Sequence, residues 1–340
     1  MKKITLKDIA KYFNVSISTV SKAMHDSHEI STALKEKIQE YAKENHYKPN
    51  KLALNLINRS TRTIGVLVPN ILNYFFVQVL YGIEKVANEK GYNIISCISD
   101  ESFEKEVKTL EFLDSGTVDG LIVSLSEETQ LKGKVEALQE ITSNQIPLVL
   151  FDRVSNLISC DKVIVDDFEA GYKTTKYFLD IGCKNIGFVS PIGKSSVGAL
   201  RQAGYKKALE EIGYEYDSRL VINFTPDDDL ELLMSFLLNY KKIDGILGLD
   251  EITAVKILHI VRSKGYIVPS DISIIGFTNG QLSQYVTPSL TMVSQHGKYI
   301  GESTAKLLIQ RIENPDSKLP FETKVVKTSL VVRDSTKKPI

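Results

Sequence analysis

The chain has 340 residues, 43% of them hydrophobic and 25% charged, with 42 basic and 42 acidic side chains and three cysteines. That length predicts two or three domains rather than one core. No apolar run can span a bilayer, Met1–Asp8 lacks an apolar export segment, and Cys97, Cys160 and Cys183 form no CxxC pair, so a cytoplasmic protein with reduced thiols is expected, without membrane or metal.

The neutral total hides an asymmetry. Residues 1–60 carry 11 Lys and Arg against 6 Asp and Glu, whereas the remainder carries 31 against 36. A basic module on an acidic body predicts that only the first part meets a polyanion. Thr5 with Asp8 forms a capping-box pattern, and Leu6, Ile9, Ala10 and Phe13 then share one helical face. Asn14 suits a left-handed turn, Val15 plugs the space between helices, and Ser16 can cap a second helix whose Val20, Ala23 and Met24 point inward. A third helix starts at Ser31, with Leu34, Ile38, Tyr41, Ala42 and Asn45 on one side and Tyr47 following.

Two short helices joined by a tight turn form a helix-turn-helix. Its second helix leaves Ile17, Ser18 and Lys22 without a place in the core, which suits them to base edges in a major groove. The hydroxyls of Ser16, Thr19 and Ser21, with the helix N-terminus, are suited to phosphates. The stretch from Thr5 to Leu56, including Val15, Ser16, Thr19, Val20, Ser21, Tyr47, Pro49 and Asn50, resembles the headpiece of the LacI/GalR (lactose-repressor) family. After Pro49, Asn50–Arg59 could form a helix too short to persist alone. The resemblance implies a hinge that orders on operator DNA, with Asn50, Ala53 and Leu56 at the minor groove and Leu56 as a wedge.

From Thr61 apolar strands alternate with amphipathic helices in two series. The first runs "TIGVLVP", "YNIISCIS", "DGLIVSL", "IPLVLFDR"; the second runs "VIVDD", "NIGFVSP", "DGILGLD", "ISIIGFT". This predicts parallel, doubly wound sheets in two lobes, with a ligand cleft beyond the strand ends. The expected fold is an all-α helix-turn-helix headpiece (1–48), a hinge helix (49–60) and an α/β two-lobed body (61–340). The body is divided into an N-lobe at about 61–160 and 290–320 and a C-lobe at about 161–289 and 321–335.

The body resembles the same family at "NYFFVQVLYGIEKVANEKGY", "RQAGYKKAL", "VPSDISIIGF" and "TPSLTMVSQ". The resemblance implies a periplasmic-binding-protein-like body with three crossovers between lobes. It places effector contacts at Tyr74, Phe75, Arg153, Ser195, Arg201, Phe224, Asp250 and Thr278. Family members often carry Asp where this chain has Thr278, and a threonine cannot accept two hydrogen bonds from sugar hydroxyls as a carboxylate does.

Enzyme readings fail on spacing. "PIGKSSVG" is no phosphate loop, because the required first glycine falls on Phe188. His259 and His296 are isolated, and no G-x-S-x-G elbow occurs. The reading is a non-enzymatic, effector-responsive transcriptional regulator without a cofactor, a repressor of carbohydrate-utilisation genes or, as the alternative with the same architecture, an activator or dual regulator. Its partners are a pseudo-palindromic operator, a sugar or sugar derivative, and a second copy of the chain. No apolar heptad run follows "VVRDS", so a dimer is expected rather than a tetramer.

Overall fold

The structure, a computed structural model, describes residues 4–47, 60–317 and 319–338. Asn50, Ala53 and Leu56 of the expected hinge lie outside the described residues. The chain divides into two compact units, Met1–Thr61 and Arg62–Ile340.

Among its described residues the first unit holds three helices: α1 (Leu6–Phe13), α2 (Ile17–Met24) and α3 (Thr32–Glu44). The predicted capping box is present: Thr5 Oγ1 accepts from the Asp8 amide and Asp8 Oδ2 accepts from the Thr5 amide at 2.9 Å. Asn14 ends α1 in the left-handed region (φ 50°), and Ser16 caps α2 by accepting from the Thr19 amide at 3.0 Å. Helices of 8, 8 and 13 residues are marginal alone. They hold because Ile9, Val20 and Ile38 are fully buried together. Each such side chain contributes about 1.5–3 kcal/mol as an upper estimate. Asn45, expected on the inner face, is exposed; its side chain bonds back to the Tyr41 carbonyl as the helix ends.

The second unit contains two six-stranded sheets. The first has the order β11-β5-β4-β3-β1-β2, built from β1 (Thr63–Val68), β2 (Asn93–Ile98), β3 (Gly120–Val123), β4 (Leu148–Phe151), β5 (Asp161–Val165) and β11 (Thr323–Val326), all parallel. The second has the order β12-β10-β9-β8-β6-β7, built from β6 (Ile186–Ser190), β7 (Val221–Asn223), β8 (Gly245–Gly248), β9 (Ser273–Phe277), β10 (Thr291–Ser294) and β12 (Ser329–Val331). Only the β10–β12 pair is antiparallel. The two orders correspond strand for strand, so β4 of one lobe occupies the place of β9 in the other.

Helices cover both faces of each sheet, which is why the central strands β1, β3, β4, β6, β8 and β9 are buried along almost their whole length. In the first lobe α4 (Tyr74–Glu89) and α13 (Gly297–Glu313) pack on one face, and α5 (Phe103–Asp114) and α7 (Glu136–Ser143) on the other; α6 (Glu127–Lys132) lies between α5 and α7 in sequence. In the second lobe α10 (Leu230–Tyr240) and α11 (Glu251–Ser263) face α8 (Asp167–Asp180) and α9 (Ser196–Glu211) across the sheet; the short α12 (Leu282–Tyr285) follows β9. The α8–α9 contact is backbone to backbone: a Cβ on Gly171 would stand 2.1 Å from the Arg201 carbonyl oxygen. That approach brings Asp167 against Arg201.

The chain passes between lobes three times, after Val165, after Ser294 and between Val326 and Ser329. This corrects the expected lobe boundaries. β5 and β11, assigned from sequence to the C-lobe, belong to the first sheet, and β10, assigned to the N-lobe, belongs to the second. Alternating apolar pattern marks a strand but not the sheet it joins. Here Asp161 decides: buried at the start of β5, it receives Arg311 of α13 at 2.8 and 3.0 Å and so ties β5 to the first lobe.

Candidate functional site

In the first unit, Ile17 and Ser18 begin α2 and Lys22 lies one turn further on; all three are exposed, and Ile17 keeps 49% of its surface. An apolar side chain left this open at a helix start is free for a partner. The structure adds a feature not read from the sequence: the Lys22 ammonium is ion-paired with Glu29. Ser16 and Thr19 are joined through their hydroxyls at 2.8 Å, so both already serve the cap of α2. Ser21 lies on the same helix, half-buried.

In the second unit the cleft lies between the C-terminal strand ends of the two sheets, as expected for open α/β sheets. It has an inner chamber and an outer mouth. The chamber is lined by Phe75, Phe76, Asp152, Arg153, Arg201 and Thr278, among others, and holds only about 20 Å³. The mouth holds about 730 Å³ and is lined by Tyr74, Phe76, Arg153, Phe224 and Asp250 with neighbours from both lobes. The mouth has the size of small-molecule sites, whereas the chamber has room for about one water. Arg153 and Phe76 line both.

Seven of the eight predicted effector residues therefore come together. Ser195 does not. It is fully buried, lines neither space, accepts from the Gly198 amide at 3.2 Å and donates to the Ile192 carbonyl at 2.7 Å. It is the N-cap of α9, a role its position before a helix start already fits. Asp250 does both jobs: it caps α11 through the Thr253 amide at 2.6 Å and lines the mouth.

Arg201 is held more tightly than a free ligand contact would be. Its Nε donates to Asp167 Oδ1 at 2.8 Å, another guanidinium nitrogen lies 2.7 Å from the same oxygen, and a third donates to the Leu249 carbonyl at 3.3 Å. Its plane lies 4.2 Å over the Phe277 ring. A pair in which both residues are about 2% exposed costs desolvation, which the two charge-assisted contacts to one carboxylate oxygen offset only in part: burial still holds the Asp167 carboxyl above its ordinary value.

Sequence reasoning missed Asp152. It follows β4 in the left-handed region (φ 56°), where a non-glycine residue is uncommon. Burial, with Asp167 nearby, pushes its carboxyl up to about 6, and its Oδ1 has no partner. Arg153 is 3% exposed; one guanidinium nitrogen donates to Glu101 at 2.6 Å, while its Nε is unpartnered. A buried polar atom left unpaired costs about 1–3 kcal/mol, so such atoms facing a cleft mark where a ligand bonds. The only sequence signal was the strand-end dipeptide Asp152-Arg153, of which just the arginine was taken.

A helix-turn-helix headpiece followed by a two-lobed body with an interlobe cleft defines a ligand-responsive DNA-binding regulator. Residues 5–50 match the model of bacterial regulatory proteins of the lacI family, and residues 175–336 match the periplasmic binding protein-like domain. The HTH-type transcriptional regulator DegA of Bacillus subtilis (strain 168) is 31% identical over 98% of both chains. The chain belongs to the LacI family of transcriptional regulators and is not an enzyme. Among solved structures, a LacI family regulator from Enterococcus faecium with bound ribose is 28% identical, with a TM-score of 0.72 over 82% of this chain and 99% of that one. The lac repressor dimer bound to operator and the anti-inducer ONPF, 21% identical, shares the fold at a TM-score of 0.83 over 98% and 99%. No helix among the described residues is long and apolar enough to cross a membrane.

Proposed function

We propose that the protein is a cytoplasmic repressor of carbohydrate-utilisation genes that binds a pseudo-palindromic operator as a homodimer and releases or holds it according to an uncharged sugar in the cleft. The observation that carries the effector reading is the wall formed by Asp152 and Arg153: a buried acceptor and a buried donor, both unpartnered, beside a mouth of sugar-binding size. Tyr74, Phe76 and Phe224 offer ring faces, while Arg153 and Asp250 offer polar contacts; Phe75, Arg201 and Thr278 form the chamber that must widen as a ligand enters. Five carboxylates at the mouth (Asp100, Glu101, Glu127, Asp250, Glu251) outnumber its two cations, Arg153 and Lys256, which disfavours a phosphorylated sugar. A thermal-shift panel of neutral sugars, their phosphates and purine bases tests this. A neutral sugar at about 100 times its Kd adds about 2.7 kcal/mol. A shift given only by phosphates would overturn the reading.

On the DNA side, Ile17, Ser18 and Lys22 read bases, Ser16, Thr19 and Ser21 face phosphates, and Asn50, Ala53 and Leu56 act at the minor groove. Lys22 must leave Glu29 to donate to a guanine, an exchange of one exposed ion pair for a two-acceptor base edge. Selection from random DNA followed by the Lys22→Ala variant measures this. The variant loses about 1–3 kcal/mol at one base pair per half-site, whereas equal loss on all sequences would make Lys22 a phosphate contact.

A further inference from the structure

The two lobes are joined by more than the three crossovers. Gln78 of α4 donates to the Asn279 carbonyl at 3.4 Å, close to the crossover at Gly297. A second contact is far in sequence from every crossover. Gln130 of α6, in the first lobe, accepts from the Ser196 amide at 3.1 Å and donates to the Ser196 hydroxyl at 2.8 Å, in the second lobe. Ser196 is the first residue of α9, so no carbonyl within the helix can reach its amide. Gln130 meets a donor and an acceptor with the matching pair of its own amide group.

The segment that presents Gln130 is fixed with unusual care for six helical residues. The buried Glu106 carboxylate accepts from the Ser126 amide at 2.6 Å and from the Thr129 hydroxyl at 2.7 Å, and Glu101 accepts from the Glu127 amide at 2.8 Å. Glu101 is also the partner of Arg153, and Gln130 touches the carbonyl of the next residue, Val154, at 3.4 Å. Thus α6 is bolted to the effector wall of the first lobe, while neither Gln130 nor Ser196 lines the chamber or the mouth.

We propose that Gln130 and Ser196 form a latch at the cleft rim that holds the lobes closed, and that Gln130 is a positioning residue setting effector affinity without touching effector. Opening the lobes breaks this two-point contact, so the latch raises the fraction of molecules in the closed state before ligand arrives. The proposal deepens the reading of the cleft as the effector site, and its test uses no effector, so the two can fail separately.

The experiment is hydrogen–deuterium exchange and small-angle X-ray scattering on the full chain without ligand, for the wild type, Gln130→Ala, Ser196→Ala and Ser196→Thr. Gln130→Ala removes both latch bonds together with the contact to the Val154 carbonyl, Ser196→Ala removes one latch bond, and Ser196→Thr keeps both. The expected result is exchange at the Ser196 and Val197 amides about fivefold faster or more in Gln130→Ala, with an increased radius of gyration. Ser196→Ala is intermediate and Ser196→Thr behaves as wild type. Unchanged exchange and radius in Gln130→Ala would overturn the latch. So would faster exchange throughout β6 and β8 with a lowered Tm, because that pattern belongs to a residue needed only for folding.

Discussion

The two lobes repeat one strand order, yet their equivalent strand ends carry different chemistry. After β4 stand Asp152 and Arg153, and after β9 stand Thr278 and Asn279, with both Asp152 and Thr278 in the left-handed region. In the second lobe the polar groups are spoken for: Thr278 donates to Gln295 at 2.9 Å, Asn279 accepts from Arg333 at 2.6 Å, and Arg201 is bound to Asp167. In the first lobe they are not. Five buried side-chain polar atoms lack partners among the described residues, and four of them (Ser99 Oγ, Ser124 Oγ, Asp152 Oδ1, Arg153 Nε) follow the ends of β2, β3 and β4. Of these, Asp152 Oδ1 and Arg153 Nε belong to residues that line the chamber, so its unsatisfied polar atoms lie on one wall, while Thr278 and Arg201 on the other are already paired.

The largest test of that contrast is Arg201→Ala. If the second wall is internally satisfied, removing the guanidinium strands the buried Asp167 carboxylate and costs about 3–5 kcal/mol by urea denaturation. A loss of effector response in this variant with full stability would mean that Arg201 is a ligand contact and the contrast is false.

Asp152→Asn comes next. The wild-type carboxyl is raised from 3.8 to about 6 by burial and by Asp167. A raised acid favours the folded state most when protonated, so its contribution is present at low pH and is lost as pH rises through about 6. The asparagine variant is therefore expected to be more stable than wild type at pH 7, by up to about 3 kcal/mol, with the difference shrinking towards pH 4. Equal pH dependence of Tm in the two proteins would show that Asp152 is not an isolated buried acid. Ser195→Ala is the smallest: loss of the α9 cap costs about 1 kcal/mol, and the ligand-induced thermal shift is unchanged.

Much of this was legible in the sequence where local chemistry decides structure. The Thr5–Asp8 box, Asn14 and Ser16 specify α1, the turn and α2 within a few residues, because each satisfies backbone groups nearby. What was not legible depends on distant partners. Strand β5 is legible in "VIVDD", but its sheet is chosen by pairing and by contacts such as Asp161 with Arg311, 150 residues apart, and the short β10 and β11 carry too little apolar pattern to stand out at all. Ser195 is ambiguous in sequence because a cap and a cleft residue share the same site between strand and helix. Asp152 was overlooked because only the fold reveals that nothing nearby partners its Oδ1.

The most direct measurement of the central claim is a paired thermal-shift titration of Arg153→Ala and Thr278→Ala with the neutral sugar that most stabilises the wild type. The account predicts that Arg153→Ala abolishes the shift, since it removes the unpartnered donor, while Glu101 is exposed enough to be hydrated. Thr278→Ala is predicted to retain a shift within about 1 °C of wild type, because its hydroxyl is already committed to Gln295. A shift that survives in Arg153→Ala and disappears in Thr278→Ala would place the effector on the second wall and contradict the account.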